Sequence, residues 1–307
     1  MKSQYEKKRL ITFDRIKIKS NYKYLLNTKV KFNEMFHSRS GKKIGIFYSS
    51  KDDINIPYNL YIAVSYIKQT LTLEFSSKIL KEKYPDLISR DTIKECLTNI
   101  NLLNICKIDI DGILSNGAIT SADVTYDANL ILSDNFLNVL NSQVNNYRRF
   151  KWAHYDKEGI TFTKDVKSKD CTETITLYNK EKEICTSHNK DFLNSLSQPQ
   201  SVIDYFKGKT RFEITLNTVK KIRNYLNLTD TKIFSVLNSD INPILTQFDK
   251  VFGNSTANMP NTTFDDYENW AMKIILERYN GDLKLLEQDV RSKFNSVSYT
   301  HLRAHET

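Results

Sequence analysis

The chain has 307 residues, and 45 lysines and arginines against 36 aspartates and glutamates give it a formal net charge of +9 and a pI near 9.1. Hydrophobic residues make up 40%, aromatics 11% and charged residues 26%, which excludes wholesale disorder and leaves material for one large domain or two ordinary ones. The first ten residues carry Lys2, Glu6, Lys7, Lys8 and Arg9 with no apolar run behind them, so no secretory signal is expected. Apolar stretches such as Tyr58 to Ile67 are about half of the ~20 residues a spanning helix needs, and a cytoplasmic protein without membrane contact is expected. Cys96, Cys106, Cys171 and Cys185 show no CxxC spacing, which argues against a zinc ribbon and leaves them as idle thiols. The basic balance makes polyanions the leading class of partner.

In chain order, Leu10 to Lys19 and Lys43 to Ser49 alternate partially as strands, and Asn59 to Ser76 is rich in β-branched and aromatic residues. After Pro85, SRDTIKECLTNINLL offers Ser89 or Asp91 as an N-cap and spaces Ile93, Leu97 and Ile100 as one helix face. A strand follows over Ala118 to Ala128, then a helical stretch around Phe136, Leu137 and Leu140, then strands over Thr172 to Tyr178 and Arg211 to Leu216. Beyond Asn217 the pattern is helical, with Val219, Ile222, Leu226, Ile233, Val236, Leu237, Tyr267, Trp270 and Ile274 on buried faces, and Gly253 to Thr263 reads as a loop. The expected fold is α+β: a central, mostly antiparallel sheet with packed helices over residues 1–216, followed by a helical region over 217–296. The last segment, Val297 to Thr307 (VSYTHLRAHET), resembles translated sequencing adaptor and is set aside as non-native, with the chain's own C-terminal sequence then missing beyond Ser296.

Four strands carry a polar face with chemistry on it. In TRFEITL, Phe212, Ile214 and Leu216 oppose Arg211, Glu213 and Thr215; in TLTLEFSSK, Leu71, Leu73 and Phe75 oppose Thr72, Glu74, Ser76 and Lys78. Ser121, Asp123, Thr125 and Asp127 share a face of the next strand, and Tyr178 and Lys180 share a face of TETITLYNK. On one sheet, Glu74, Asp123 and Glu213 could converge, and hard oxygen ligands on a rigid platform suit Mg²⁺ or Mn²⁺. Beside them a phenol and a lysine would make a phosphoryl-transfer site, with Tyr178 attacking phosphorus and Lys180 neutralising developing charge. The plainer alternative is a polar sheet face that is simply solvated.

LTLEFSSKIL, ITSADVTYD, TITLYNKEKEI and TRFEITL, in that order, resemble segments of the filamentous-phage replication initiator endonucleases of gene-two type and related phage and plasmid rolling-circle replication proteins. The resemblance runs from about Tyr58 to Phe252. It implies a tyrosine nickase that cuts one strand at a double-stranded origin, keeps the 5′ end as phosphotyrosine and rejoins the strand after synthesis. It carries the nucleophile onto Tyr178, with Lys180 beside it, and the metal-binding carboxylates onto Glu74, Asp123, Glu213 and Glu183. Ala122 stands where relatives often have Arg, and no His-hydrophobic-His motif is present, since His37, His154 and His188 are isolated. The run NNYRRFKWAHY interleaves cations and aromatics, which suits Arg148, Arg149, Lys151 and Trp152 to a single-strand surface and equally to a basic helix end with core aromatics; Lys78 and Arg211 are expected as further DNA contacts. GKT at Gly208 to Thr210 lacks the first glycine of a phosphate loop, so unwinding falls to a host helicase and synthesis to a host polymerase. The rival reading is a non-enzymatic DNA-binding initiator or repressor.

Overall fold

The computed structural model describes residues 11–132, 150–155, 159–164 and 174–244, together with 285 and 288. The strands are β1 (Phe13–Asn21), β2 (Leu25–Thr28), β3 (Asn33–Phe36), β4 (Lys43–Ser49), β5 (Leu60–Ser65), β6 (Thr70–Ser76), β7 (Cys106–Ile108), β8 (Ala118–Ala128), β9 (Phe150–Tyr155), β10 (Gly159–Lys164), β11 (Thr174–Asn179) and β12 (Thr210–Leu216). Ten of them form one sheet in the order β3-β4-β5-β6-β1-β8-β12-β11-β10-β9, with every neighbouring pair antiparallel, and β2 pairs with β7 apart from it. The fold is α+β, with a large antiparallel sheet and packed helices.

Directly paired residues lie on the same face of a sheet, so register sorts the side chains. Ile16 pairs with Phe75 and with Ala122, Phe13 with Val124, Val124 with Ile214, and Ile214 with Ile175. All are buried, and they make this face the floor of the main core. The helices are α1 (Ile93–Leu102), α2 (Ile110–Asn116), α3 (Lys180–Ile184), α4 (Lys190–Asn194), α5 (Pro199–Phe206), α6 (Val219–Leu226) and α7 (Ile233–Leu237). Helix α1 buries Ile93, Cys96, Leu97 and Ile100, the face its spacing promised. Its N-cap position is Thr92, one residue beyond Asp91, because the Thr92 hydroxyl donates to the Leu87 carbonyl and accepts from the Ser89 amide, locking the turn that precedes the helix.

Helix α2 is capped by Asp109, whose carboxylate accepts from the Gly112 amide, and it ends at Gly117. A side chain at Gly117 would run into Ile233 and Ile18, so the chain passes close to β1 there. The helical region beyond Asn217 starts on this same core: Ile222, Leu226, Ile233, Val236 and Leu237 are buried in it, and Lys232 bridges to Ala118 on β8. Thr218 caps α6 from the Lys221 amide, and Asn227 ends it in the left-handed region at φ 51°. Among the described residues no helix is long and apolar enough to cross a membrane. The helical stretch around Phe136, the segment Tyr267 to Ile274 and the tail Val297 to Thr307 lie outside the described residues.

Candidate active site

The opposite face of the sheet is polar across five adjacent strands. Register joins Lys17 to Glu74 and Ser121, Arg15 to Asp123, Asp123 to Thr215, Thr125 to Glu213, Glu213 to Thr176, and Arg211 to both Asp127 and Tyr178. The strands that carry Glu74, Asp123, Glu213 and Tyr178 thus belong to one sheet and turn these side chains to one side. A bulge adds Asp14: β1 advances from Phe13 to Arg15 while β8 advances only from Val124 to Asp123, leaving Asp14 as the extra residue. The Asp14 amide donates to the Thr125 hydroxyl, and its carboxylate reaches Arg211.

One end of this face is covered. Arg211 is 0% exposed; its Nε and Nη2 donate to the two oxygens of Asp127 at 2.6 and 2.9 Å, and its Nη1 donates to Asp14 Oδ1 and Tyr84 Oη, each at 2.9 Å. Tyr84, from the kinked 3₁₀ segment Ser77–Asp86, and Phe206, from α5, set their rings 5.3 Å from the guanidinium carbon. Burial alone would lower the Arg211 pKa, but the Asp127 carboxylate outweighs it and the guanidinium is held charged. Asp14 is likewise held below its usual range, because Arg211, Lys180 and the Ser77 hydroxyl outweigh its burial.

Tyr178 stands next to Arg211 and is 4% exposed. Its phenol donates to Glu213 Oε1 at 2.9 Å. Burial, and then the Glu213 charge, push the phenol pKa well above its usual value. Glu213 is pushed up to about 8, by burial first and then by the like charges of Asp14 and Asp123 against the pull of Arg211. Lys180, at the first position of α3, buries its stem and places Nζ 5.3 to 5.5 Å from the rings of Tyr84, Tyr178 and Phe206, while pairing with Glu183. Glu183 also accepts from Asn189, and the Lys180 charge outweighs its burial to hold its pKa low. Lys78 donates to Asn189 Oδ1 at 2.5 Å; burial and the neighbouring Lys180 charge lower its pKa.

The other end is open. Arg15 donates from Nε and Nη2 to Asp123 at 2.7 and 3.1 Å and from Nη1 to Glu74 at 2.6 Å, while Lys17 Nζ lies 2.7 Å from the second Glu74 oxygen. Burial would raise the Glu74 pKa, but Lys17 and Arg15 hold it below the usual value. Arg15 keeps 26% of its side-chain surface exposed and Lys17 keeps 34%.

Of the expected metal ligands, Glu74 and Asp123 face each other across Arg15, Glu183 answers Lys180, and Glu213 binds the phenol. Among the described residues no three His, Cys, Asp or Glu side chains are grouped so as to hold a metal ion. A divalent cation between Glu74 and Asp123 would have to displace Arg15, so these carboxylates as arranged do not fit one. Of the expected DNA contacts, Arg211 is enclosed and Lys78 committed to Asn189; Lys151 and Trp152 belong to β9, with their side chains outside the description, and Arg148 and Arg149 lie outside the described residues. Cys96 and Cys106 are buried thiols, and Cys185 is an exposed one. The sequence reading missed Asp14, Arg15, Lys17 and Tyr84; the acids and bases in LITFDRIKIK were its available signal, hidden by the bulge. In comparisons with known proteins, no family model matches the chain and no curated protein matches it.

Proposed function

We propose that this protein nicks and rejoins a DNA strand through Tyr178, as an initiator of phage or plasmid rolling-circle replication. The observation that carries the reading is the 2.9 Å hydrogen bond from the Tyr178 phenol to Glu213, a carboxylate whose pKa of about 8 suits proton exchange near neutral pH. The Tyr178 oxygen bonds to phosphorus as the bond from phosphorus to the 3′ oxygen breaks. The phenol proton passes to Glu213 and from there to the departing 3′ oxygen, leaving a 5′-phosphotyrosine and a 3′-hydroxyl. Lys180 supplies positive charge beside the nucleophile. Reversal of the same steps rejoins the strand without ATP, since the phosphotyrosine retains the energy of the phosphodiester bond.

No step of this scheme passes through a metal ion, and Mg²⁺ or Mn²⁺ is supplied in the assay as the cofactor the resemblance implies. The protein would act in the cytoplasm of a bacterial host, on origin DNA, with the host helicase and polymerase. The non-enzymatic reading, an origin-binding initiator or repressor, is favoured by one observation, the burial of Tyr178 to 4% exposure. Tyr178→Phe separates the two: under the nickase reading it keeps origin binding and loses nicking, whereas under the other reading it changes nothing, since the native protein already binds the origin without nicking it.

A further inference from the structure

The chemistry assigned to Tyr178 occupies the covered end of the polar face and leaves the open end without a task. There the register of four strands builds two parallel rows. In one, Phe47 on β4 pairs with Ala63 on β5, Ala63 with Thr72 on β6, and Thr72 with Lys19 on β1. In the next, Ser49 pairs with Tyr61, Tyr61 with Glu74, and Glu74 with Lys17. Each row therefore has an aromatic ring toward one side and a lysine toward the other. The rings of Phe47 and Tyr61 lie 6.1 Å apart, tilted by 33°, and both are partly exposed. Between ring and lysine the first row spans three strand spacings, roughly 14 Å, and presents only the small side chains Ala63 and Thr72, while the second spans two, roughly 10 Å, with Glu74 between Tyr61 and Lys17.

We infer that this trough binds single-stranded DNA, with bases stacked on Phe47 and Tyr61 and phosphates held by Lys19, Lys17 and the outer edge of Arg15. Paired rings offer faces to unpaired bases, which a duplex keeps stacked inside itself. Lys19 is exposed, and among the described residues no carboxylate answers it. Arg15 has five N–H donors and spends three on Asp123 and Glu74, so two remain on a side chain that keeps 26% of its surface exposed. The carboxylates fix that side chain in place, so little side-chain freedom is lost when a phosphate docks. A net charge of +9 favours a polyanion. The choice of DNA rests on the nicking proposed for Tyr178; the stacking and charge geometry does not.

The test is fluorescence anisotropy of the full chain with labelled oligo-dT across a KCl series. Phe47→Ala and Tyr61→Ala should each weaken binding about five- to 150-fold, the usual worth of one stacked base, while Tyr61→Phe keeps the wild-type affinity. The double variant Lys17→Ala, Lys19→Ala should lower the slope of log affinity against log salt by about 1.4, or about 0.7 per phosphate contact. Thr72→Glu, which truncates no ring, should also weaken binding by placing a carboxylate in the trough. Ring variants that fold with the wild-type melting temperature and bind oligo-dT within twofold of wild type would overturn the inference, as would an unchanged salt slope or a preference for duplex of the same length. Ring-dependent binding in a protein that never nicks would uphold the trough and remove the nickase reading. Ring-independent binding in a protein that does nick would remove the trough alone.

Discussion

Two arginines on one sheet face make nearly the same hydrogen bonds and end in different environments. Arg211 gives Nε and Nη2 to Asp127 and Nη1 to Asp14; Arg15 gives Nε and Nη2 to Asp123 and Nη1 to Glu74. The difference is what lies above them. Tyr84 and Phe206 cover Arg211 and complete its bonding, whereas Arg15 keeps 26% of its surface in solvent. A guanidinium fork between carboxylates is thus a structural joint under a lid and a pre-set anion receptor without one. The covered joint braces the strand that carries Glu213, and so the hydrogen bond to Tyr178.

That comparison is broken or sharpened by unequal losses of stability. Arg211→Met leaves Asp127, with 3% of its side chain exposed, without its cation, strips the cation from the partly exposed Asp14 as well, and should cost about 3–5 kcal/mol in urea denaturation. If it costs no more than Arg15→Met, the distinction between the two ends fails. Next comes Glu213. Its pKa is raised from an ordinary 4.5 to about 8, so between those values the folded protein holds a proton that the unfolded chain has released. Stability is then fully present at and below about pH 4.5 and falls as pH rises toward 8, by about 1.4 kcal/mol per pH unit. Glu213→Gln should flatten that part of the stability curve, measured as urea midpoints from pH 5 to pH 9. If Glu213 accepts the phenol proton, nicking should rise over the same interval.

Tyr84→Phe removes one acceptor from the enclosed Arg211 and should cost about 1–2 kcal/mol. Arg15→Met is expected to have the smallest effect, about 1 kcal/mol or less, because its partners remain partly solvated. Its consequence should appear instead in DNA affinity. A large loss of stability with unchanged affinity would make Arg15 another joint.

Local alternation made much of this legible. Strict period two in TRFEITL and TLTLEFS placed Leu71, Leu73, Phe75, Ile214 and Leu216 in the core and Glu74 and Glu213 on the opposite face, as found. The bulge at Asp14 broke that period in β1, and with it the signal for Arg15 and Lys17. Their partners Glu74 and Asp123 lie 59 and 108 residues from Arg15, and no local pattern encodes a bond across such distances. The enclosure of Arg211 was equally unreadable, because its lid comes from Tyr84, 127 residues earlier, and from α5. The trough depends on the mutual register of β4, β5, β6 and β1, which the turns and core packing set together.

The most direct test of the central claim is to incubate the protein and Tyr178→Phe, each with Mg²⁺ or Mn²⁺, with supercoiled plasmid carrying the replicon's own intergenic region, and to resolve the products by denaturing electrophoresis. The account predicts a single-strand nick with protein bound covalently to its 5′ end, absent in Tyr178→Phe. A native protein that binds this DNA and leaves it unbroken, or a covalent adduct that persists in Tyr178→Phe, would contradict it.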